Sequence, residues 1–163
     1  MWPLAGFAAP AARSAGVERR LAFYHTHTDE RLKVTYFADG SFLPEALTQV
    51  NHLLRDFRNG EMHPIDPNLL DTLHEVCALC GGGGTFEIIS GYRSPETNRL
   101  LRSRSSGVAR SSLHVQGRAI DVRLTGFDTA KLRDAALSLQ RGGVGYYAGS
   151  DFVHLDTGRV RTW

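Results

Sequence analysis

Two histidines and an aspartate stand out in this chain because of where a strand pattern would place them. In Arg118-Ala119-Ile120-Asp121-Val122-Arg123, the apolar Ile120 and Val122 alternate with Ala119 and Asp121. Period-two alternation sends the two sets to opposite faces. In Phe152–Asp156 the same rule sends Val153 and Leu155 to the core, and Phe152, His154 and Asp156 to the other side. If the two strands are neighbours, Asp121 and His154 face one cleft. His114, on the loop leading into the first strand, then completes a three-sided site. Two imidazoles and one carboxylate, with a fourth position left to water, form the donor set of a catalytic zinc rather than a structural one. Such an ion polarises a carbonyl and makes a bound water acidic enough to attack at neutral pH.

Hydrolysis also needs a group to take the water's proton and pass it to the leaving amine. Asp151, which precedes His154 where the chain enters the strand, is the expected base. Its strand parity differs from that of His154, so it must reach the site from the preceding turn. Arg93, on a turn between a strand and a helix start, is expected to stabilise the oxyanion at the attacked carbonyl. Asp156 shares a face with His154 and either orients the imidazole from behind or is a solvated strand-end carboxylate. Taken singly, a His or Asp beside a strand is more often a surface or hydrogen-bonding group than a ligand. The joint pattern is what carries specificity.

The elements that must position these residues are legible in outline. Residues 20–25 and 32–37 are rich in aromatic and β-branched residues around a polar turn at Asp29-Glu30, which predicts a hairpin. Pro44 opens a helix to about Phe57, with Ala46, Val50, Leu53 and Leu54 at helical spacing. Asp66-Pro67 is a carboxylate cap followed by a proline whose missing N–H does no harm. It starts a helix that buries Leu69, Leu70, Leu73, Val76 and Cys77 and stops at Gly81–Gly84. A strand over 85–89, a short helix from Ser94-Pro95 to about Leu101 and a Gly/Ser-rich loop over 102–113 follow. Strand 118–123, a helix from Asp128 to about Gln140, and strands 143–147 and 152–156 complete the pattern. This order predicts an α+β fold in a single domain over 18–163, an antiparallel sheet flanked by helices.

Composition narrows the classes of function. The chain has 163 residues, 42% hydrophobic and 22% charged, with a formal charge of +2. That suits one hydrophobic core. The charge is too small, and the basic residues too scattered, for a nucleic-acid partner. The sequence has no run of eighteen apolar residues, so it predicts no membrane-spanning helix. Residues 1–17 are Ala-rich, carry no charge before Arg13 and contain Ala9-Pro10-Ala11. They read either as the back half of an export signal or as a disordered tail. Cys77-x-x-Cys80 has no second pair and no preceding βαβ unit, so helix packing is the favoured reading over redox or zinc chemistry. His25 and His27 are read as hairpin structure or a substrate-facing polar edge, His52, His63 and His74 as surface or cap groups, and Tyr146 and Tyr147 as packing against the sheet, with a place on the cleft wall the alternative for one of them.

The motif S-x-H-x-x-G-x-A-x-D (Ser112, His114, Gly117, Ala119, Asp121) is followed by D-x-x-H (Asp151, His154) and preceded by Ser90-Gly91-Tyr92-Arg93-Ser94. Together they resemble the D-Ala-D-Ala metallopeptidase family of peptidoglycan metabolism, related in fold to the hedgehog signalling domain. The hairpin carrying Tyr24-His25-Thr26-His27-Thr28 is similar to that of its branch of exported bacterial murein endopeptidases. The resemblance spans about residues 20–160. It implies one zinc ion on His114, Asp121 and His154, Asp151 as general base, Arg93 on the substrate carbonyl, and Ser112 and Gly117 shaping the metal loop. The base is often Glu in such enzymes, whereas Asp151 is one methylene shorter. The resemblance further implies an endopeptidase or carboxypeptidase acting on peptidoglycan stem peptides or their cross-links, in the periplasm or exported, and a monomer is expected. The competing reading is a binding module that keeps the zinc without hydrolysis.

Overall fold

The computed structural model describes residues 17–105 and 107–163; the segment 1–17 expected to be an export-signal remnant or a disordered tail lies, but for Val17, outside the described residues. Alternating burial builds the first hairpin as the pattern predicts. β1 (Arg19–His25) and β2 (Arg31–Ala38) pair antiparallel, with Leu21 opposite Val34 and Phe23 opposite Leu32. The short β3 (Ser41–Phe42) extends this edge. α1 (Pro44–Leu53) ends four residues before the predicted limit. The cause is local: the Leu54 carbonyl accepts from the Tyr92 N–H, and the Asp56 carboxylate accepts the N–H groups of Arg58 and Ser94. These bonds offer the backbone an alternative to another helical turn.

α2 (Pro67–Leu79) starts where the Asp-Pro pair demands, with the Asp66 carboxylate accepting from the Asn68 N–H at 3.0 Å. Such a cap is worth about 1 kcal/mol. β4 (Phe86–Ser90) leads to α3 (Pro95–Arg104), capped by Ser94 and longer than the sequence suggests. A 3-10 turn over Leu113–Gln116 precedes β5 (Ala119–Leu124). α4 (Thr129–Leu139), capped by Asp128, is followed by β6 (Gly143–Tyr147), β7 (Phe152–Asp156) and β8 (Arg161–Thr162).

All eight strands form one sheet, in the order β3-β2-β1-β4-β5-β7-β6-β8. The fold is α+β as expected, but the sheet is mixed rather than antiparallel. β1 pairs parallel with β4, and β6 parallel with β8. The reason is connectivity. Between β1 and β4 the chain passes through β2, β3, α1 and α2, and this crossover returns it in the starting direction. Ile88, Ile120, Val122, Val153 and Leu155 lie in one buried core with α2's Leu69, Leu70 and Leu73 and α4's Leu132. Burying an aliphatic side chain of this size is worth roughly 1.5–3 kcal/mol, so the register of the central strands is strongly held. A one-residue slip would turn the core set and the polar set over together.

Candidate metal centre

The register that buries the core also assembles the polar face. β5 and β7 pair with Asp121 directly opposite His154, and β6 places Gly145 on the other side of His154. His114 comes from the 3-10 turn before β5. It is tied in twice: its Nδ1 lies 2.8 Å from the Gly91 carbonyl, and its own carbonyl accepts from the Arg93 N–H at 3.2 Å. Gly117 ends that turn at φ 65°, and a Cβ there would come within 2.2 Å of the Pro64 carbonyl. Any other residue would push the turn off Pro64, which accounts for Gly117 in the motif. Ser112 is buried at the start of the turn and lines the cavity described below.

His114, Asp121 and His154 are all buried. His154 Nδ1 lies 2.8 Å from Asp121 Oδ1, His114 Nε2 lies 3.2 Å from His154 Nδ1, and His114 Nε2 lies 3.3 Å from Asp121 Oδ1. A tetrahedral ion with bonds of about 2.0–2.1 Å separates its ligand atoms by about 3.3 Å, so the triangle fits one. Among the described residues it is the group of His, Cys, Asp and Glu donors that converges closely enough to hold a metal.

The outward nitrogens are fixed as well. His114 Nδ1 faces a carbonyl, and His154 Nε2 lies 3.0 Å from Asp156 Oδ2. With each outward nitrogen engaged by an acceptor, the inward one is the nitrogen that can turn a lone pair to a metal when its proton leaves. Asp156 orients His154, as one of the two sequence readings expects. It is itself held by both Arg161 terminal nitrogens, at 3.0 and 2.6 Å, and by the N–H groups of Gly143 and Gly158.

Charge follows from burial and partners. Burial pushes the Asp156 carboxyl up, but His154, Arg161 and the two backbone donors outweigh it and hold the group well below the usual carboxylate range. Burial likewise raises Asp121, and the charges and hydrogen bonds of His114 and His154 reverse the shift. Burial lowers His154, and the two flanking carboxylates raise it beyond the ordinary imidazole value. Arg93 is buried beside the ligands, its Nη2 3.9 Å from Asp121 Oδ2 and its Nη1 3.3 Å from Asn98 Oδ1. Burial lowers its pKa, partly offset by Asp121.

A cavity of about 380 Å³ opens over these groups, walled by Arg93, Ser112, His114, Asp121, Tyr147 and His154 among others. Asp121 supplies the only carboxylate in its lining among the described residues. Asp151 is not brought to it. Its backbone is left-handed at φ 52°, and its mostly exposed carboxylate accepts from the Thr129 hydroxyl at 2.6 Å, with Arg123 3.4 Å away. The expected reach from the turn is not made, because the start of α4 holds the side chain.

A family model described as "Peptidoglycan L,D-endopeptidase MepK" matches residues 13–163. The chain belongs to this family. It is 43% identical over 145 residues to the peptidoglycan L,D-endopeptidase MepK of Escherichia coli K12, covering 89% of this chain and 80% of that protein. It is 42% identical over 146 residues to the probable peptidoglycan L,D-endopeptidase MepK of Haemophilus influenzae, covering 89% and 78%. The D-Ala-D-Ala metallopeptidase resemblance read from the motifs is thereby borne out.

Within this MepK family member, Tyr147 lines the cavity rather than only packing against the sheet, and so do Arg161 and Trp163, which reading the sequence passed over. Tyr147 was legible, since β6 alternates Gly145 and Tyr147 with the core residues Val144 and Tyr146. Arg161 and Trp163 follow the last long strand and carried no periodic signal. Cys77 and Cys80 are free thiols at the end of α2. Among the described residues no helix is long and apolar enough to cross a membrane.

Proposed function

We propose that this chain is a zinc-dependent endopeptidase that cuts L,D cross-links between peptidoglycan stem peptides. The observation that carries the proposal is the His114–Asp121–His154 triangle, with both outward imidazole nitrogens already committed. Zinc bound there supplies Lewis-acid polarisation of the peptide carbonyl and a water acidic enough to act as nucleophile. The protein's own part is to hold the ligands and to meet the charge that develops. Arg93 sits beside Asp121 and is free to face the carbonyl oxygen as it becomes negative. With Asp121 committed to the metal and Arg161 paired with Asp156, Arg93 is, among the described residues, the cation of the cavity lining left to meet a negative group of the substrate. Peptidoglycan lies outside the cytoplasmic membrane, so this activity requires an exported protein, in keeping with the apolar residues 1–17.

A non-catalytic zinc-binding module is the second reading, and the placement of Asp151 outside the cavity favours it. Digestion of purified cross-linked peptidoglycan, with mass analysis of released muropeptides, separates the two. Zinc-loaded protein is expected to release monomers from L,D-linked dimers, with release abolished by a chelator and restored by zinc. Binding to peptidoglycan without release of any muropeptide establishes the binding module instead.

A further inference from the structure

The hydroxyl of Tyr147 accepts one hydrogen bond and still has its own proton to donate. The register of β6 and β7 sets Tyr147 opposite Phe152 and Gly145 opposite His154, so Tyr147 continues the face that carries the His154 ligand. Its ring stacks on Phe152, with centroids 4.6 Å apart and planes 17° from parallel. Trp163 holds the phenol from the other side, its Nε1 donating to Tyr147 Oη at 2.9 Å. The indole itself occupies space that only a glycine leaves, since a Cβ on Gly145 would come within 2.6 Å of it. From there it packs on the His154 ring, with centroids 5.2 Å apart. A tryptophan N–H can only donate, so Tyr147 must accept at this contact and turn its own O–H elsewhere. Among the described residues that O–H has no acceptor. The side chain lines the cavity together with Arg93, His114, Asp121 and His154.

We infer that Tyr147 is a catalytic residue, donating its phenolic hydrogen bond to the scissile carbonyl oxygen alongside Arg93, and that Trp163 is the positioning residue that aims it. This rests on the peptidase reading above. A donor aimed at an oxygen that gains charge lowers the barrier more than it strengthens substrate binding. The pair is built for such aim. Stacking on Phe152 restricts the ring, the indole N–H fixes which way the hydroxyl faces, and no protein acceptor competes for the proton.

The test measures kcat and KM for a defined L,D-linked muropeptide dimer with zinc-loaded wild type, Tyr147→Phe, Trp163→Phe and the double variant. Tyr147→Phe keeps the stack on Phe152, so zinc content and melting temperature are expected to match wild type. Its kcat should fall by roughly 10²-fold, the scale of losing one oxyanion donor, with KM nearly unchanged. Trp163→Phe should cause a smaller fall, and the double variant should be no worse than Tyr147→Phe alone, because Trp163 acts through the hydroxyl. An unchanged kcat in Tyr147→Phe, or a loss confined to KM, overturns the catalytic role. Additive losses in the double variant overturn the positioning role of Trp163. Failure of wild type to cut the dimer overturns the peptidase reading itself, and the role of Tyr147 with it.

Discussion

Asp156 Oδ2 stands 3.0 Å from His154 Nε2, and this contact determines that the Nδ1 nitrogen of His154 faces Asp121 and His114. The carboxylate is fully buried, and Arg161 and two backbone N–H groups hold it, so it cannot swing away when a metal is exchanged. The ligand triangle is therefore set by residues one layer behind it.

Asp156→Asn should weaken zinc binding by roughly 10–100-fold, the usual loss when a partner that orients a ligand imidazole is removed. The amide is neutral, so it polarises the imidazole less and disturbs the Arg161 contact. Competition against a chromophoric chelator measures the affinity directly, without any assay of hydrolysis. Affinity equal to wild type would show that His154 keeps its orientation without a charged partner.

Asp151→Asn should keep most of the turnover. Its carboxylate is held by Thr129 and lies outside the cavity lining, whereas a positioned general base contributes ~10²–10⁴-fold. A fall of that size in kcat, with zinc content unchanged, would restore the role that its spacing from His154 suggests. Such a result would require the turn after β6 to move when substrate binds.

His25 gives the protein a pH-dependent stability. It is fully buried on β1, two strands from the ligands, and its Nδ1 accepts from the His27 N–H at 3.2 Å. Burial, followed by the neighbouring His27, lowers its pKa to about 4. An unfolded chain protonates it near 6.5, so between these values the unfolded state binds the extra proton. The contribution is complete above about pH 6.5 and is lost as pH falls toward 4, amounting to at most on the order of 3 kcal/mol. Urea unfolding at pH 7 and pH 5 should show this loss in wild type. His25→Asn, which keeps an acceptor for the His27 N–H, should be less stable overall but show a much smaller change across that range. An equal change in both proteins would place the titrating group elsewhere.

Much of this protein is written locally. The caps at Asp66, Ser94 and Asp128 and the alternation in β5 and β7 depend on neighbours a few residues apart, and each appears where its pattern puts it. The candidate metal-binding group was legible for the same reason: parity put Asp121 and His154 on one face, and burial of Ile120, Val122, Val153 and Leu155 left that parity no alternative. The parallel pairings of the sheet were not legible, because direction follows from the path between the strands, through two helices from β1 to β4 and through β7 from β6 to β8, rather than from any strand's own residues. Nor was the fate of Asp151, whose spacing from His154 suits a base. A left-handed turn and the Thr129 hydroxyl, a contact between residues 22 apart in the chain, hold it away. Arg161 and Trp163 show the converse. They have no periodic neighbours, yet β8 pairs with β6 and carries them over Gly143 and Gly145, to Asp156 and Tyr147. Short-range chemistry determined which residues could hold a metal; which residues stand behind them and line the cavity was decided only when distant strands came together.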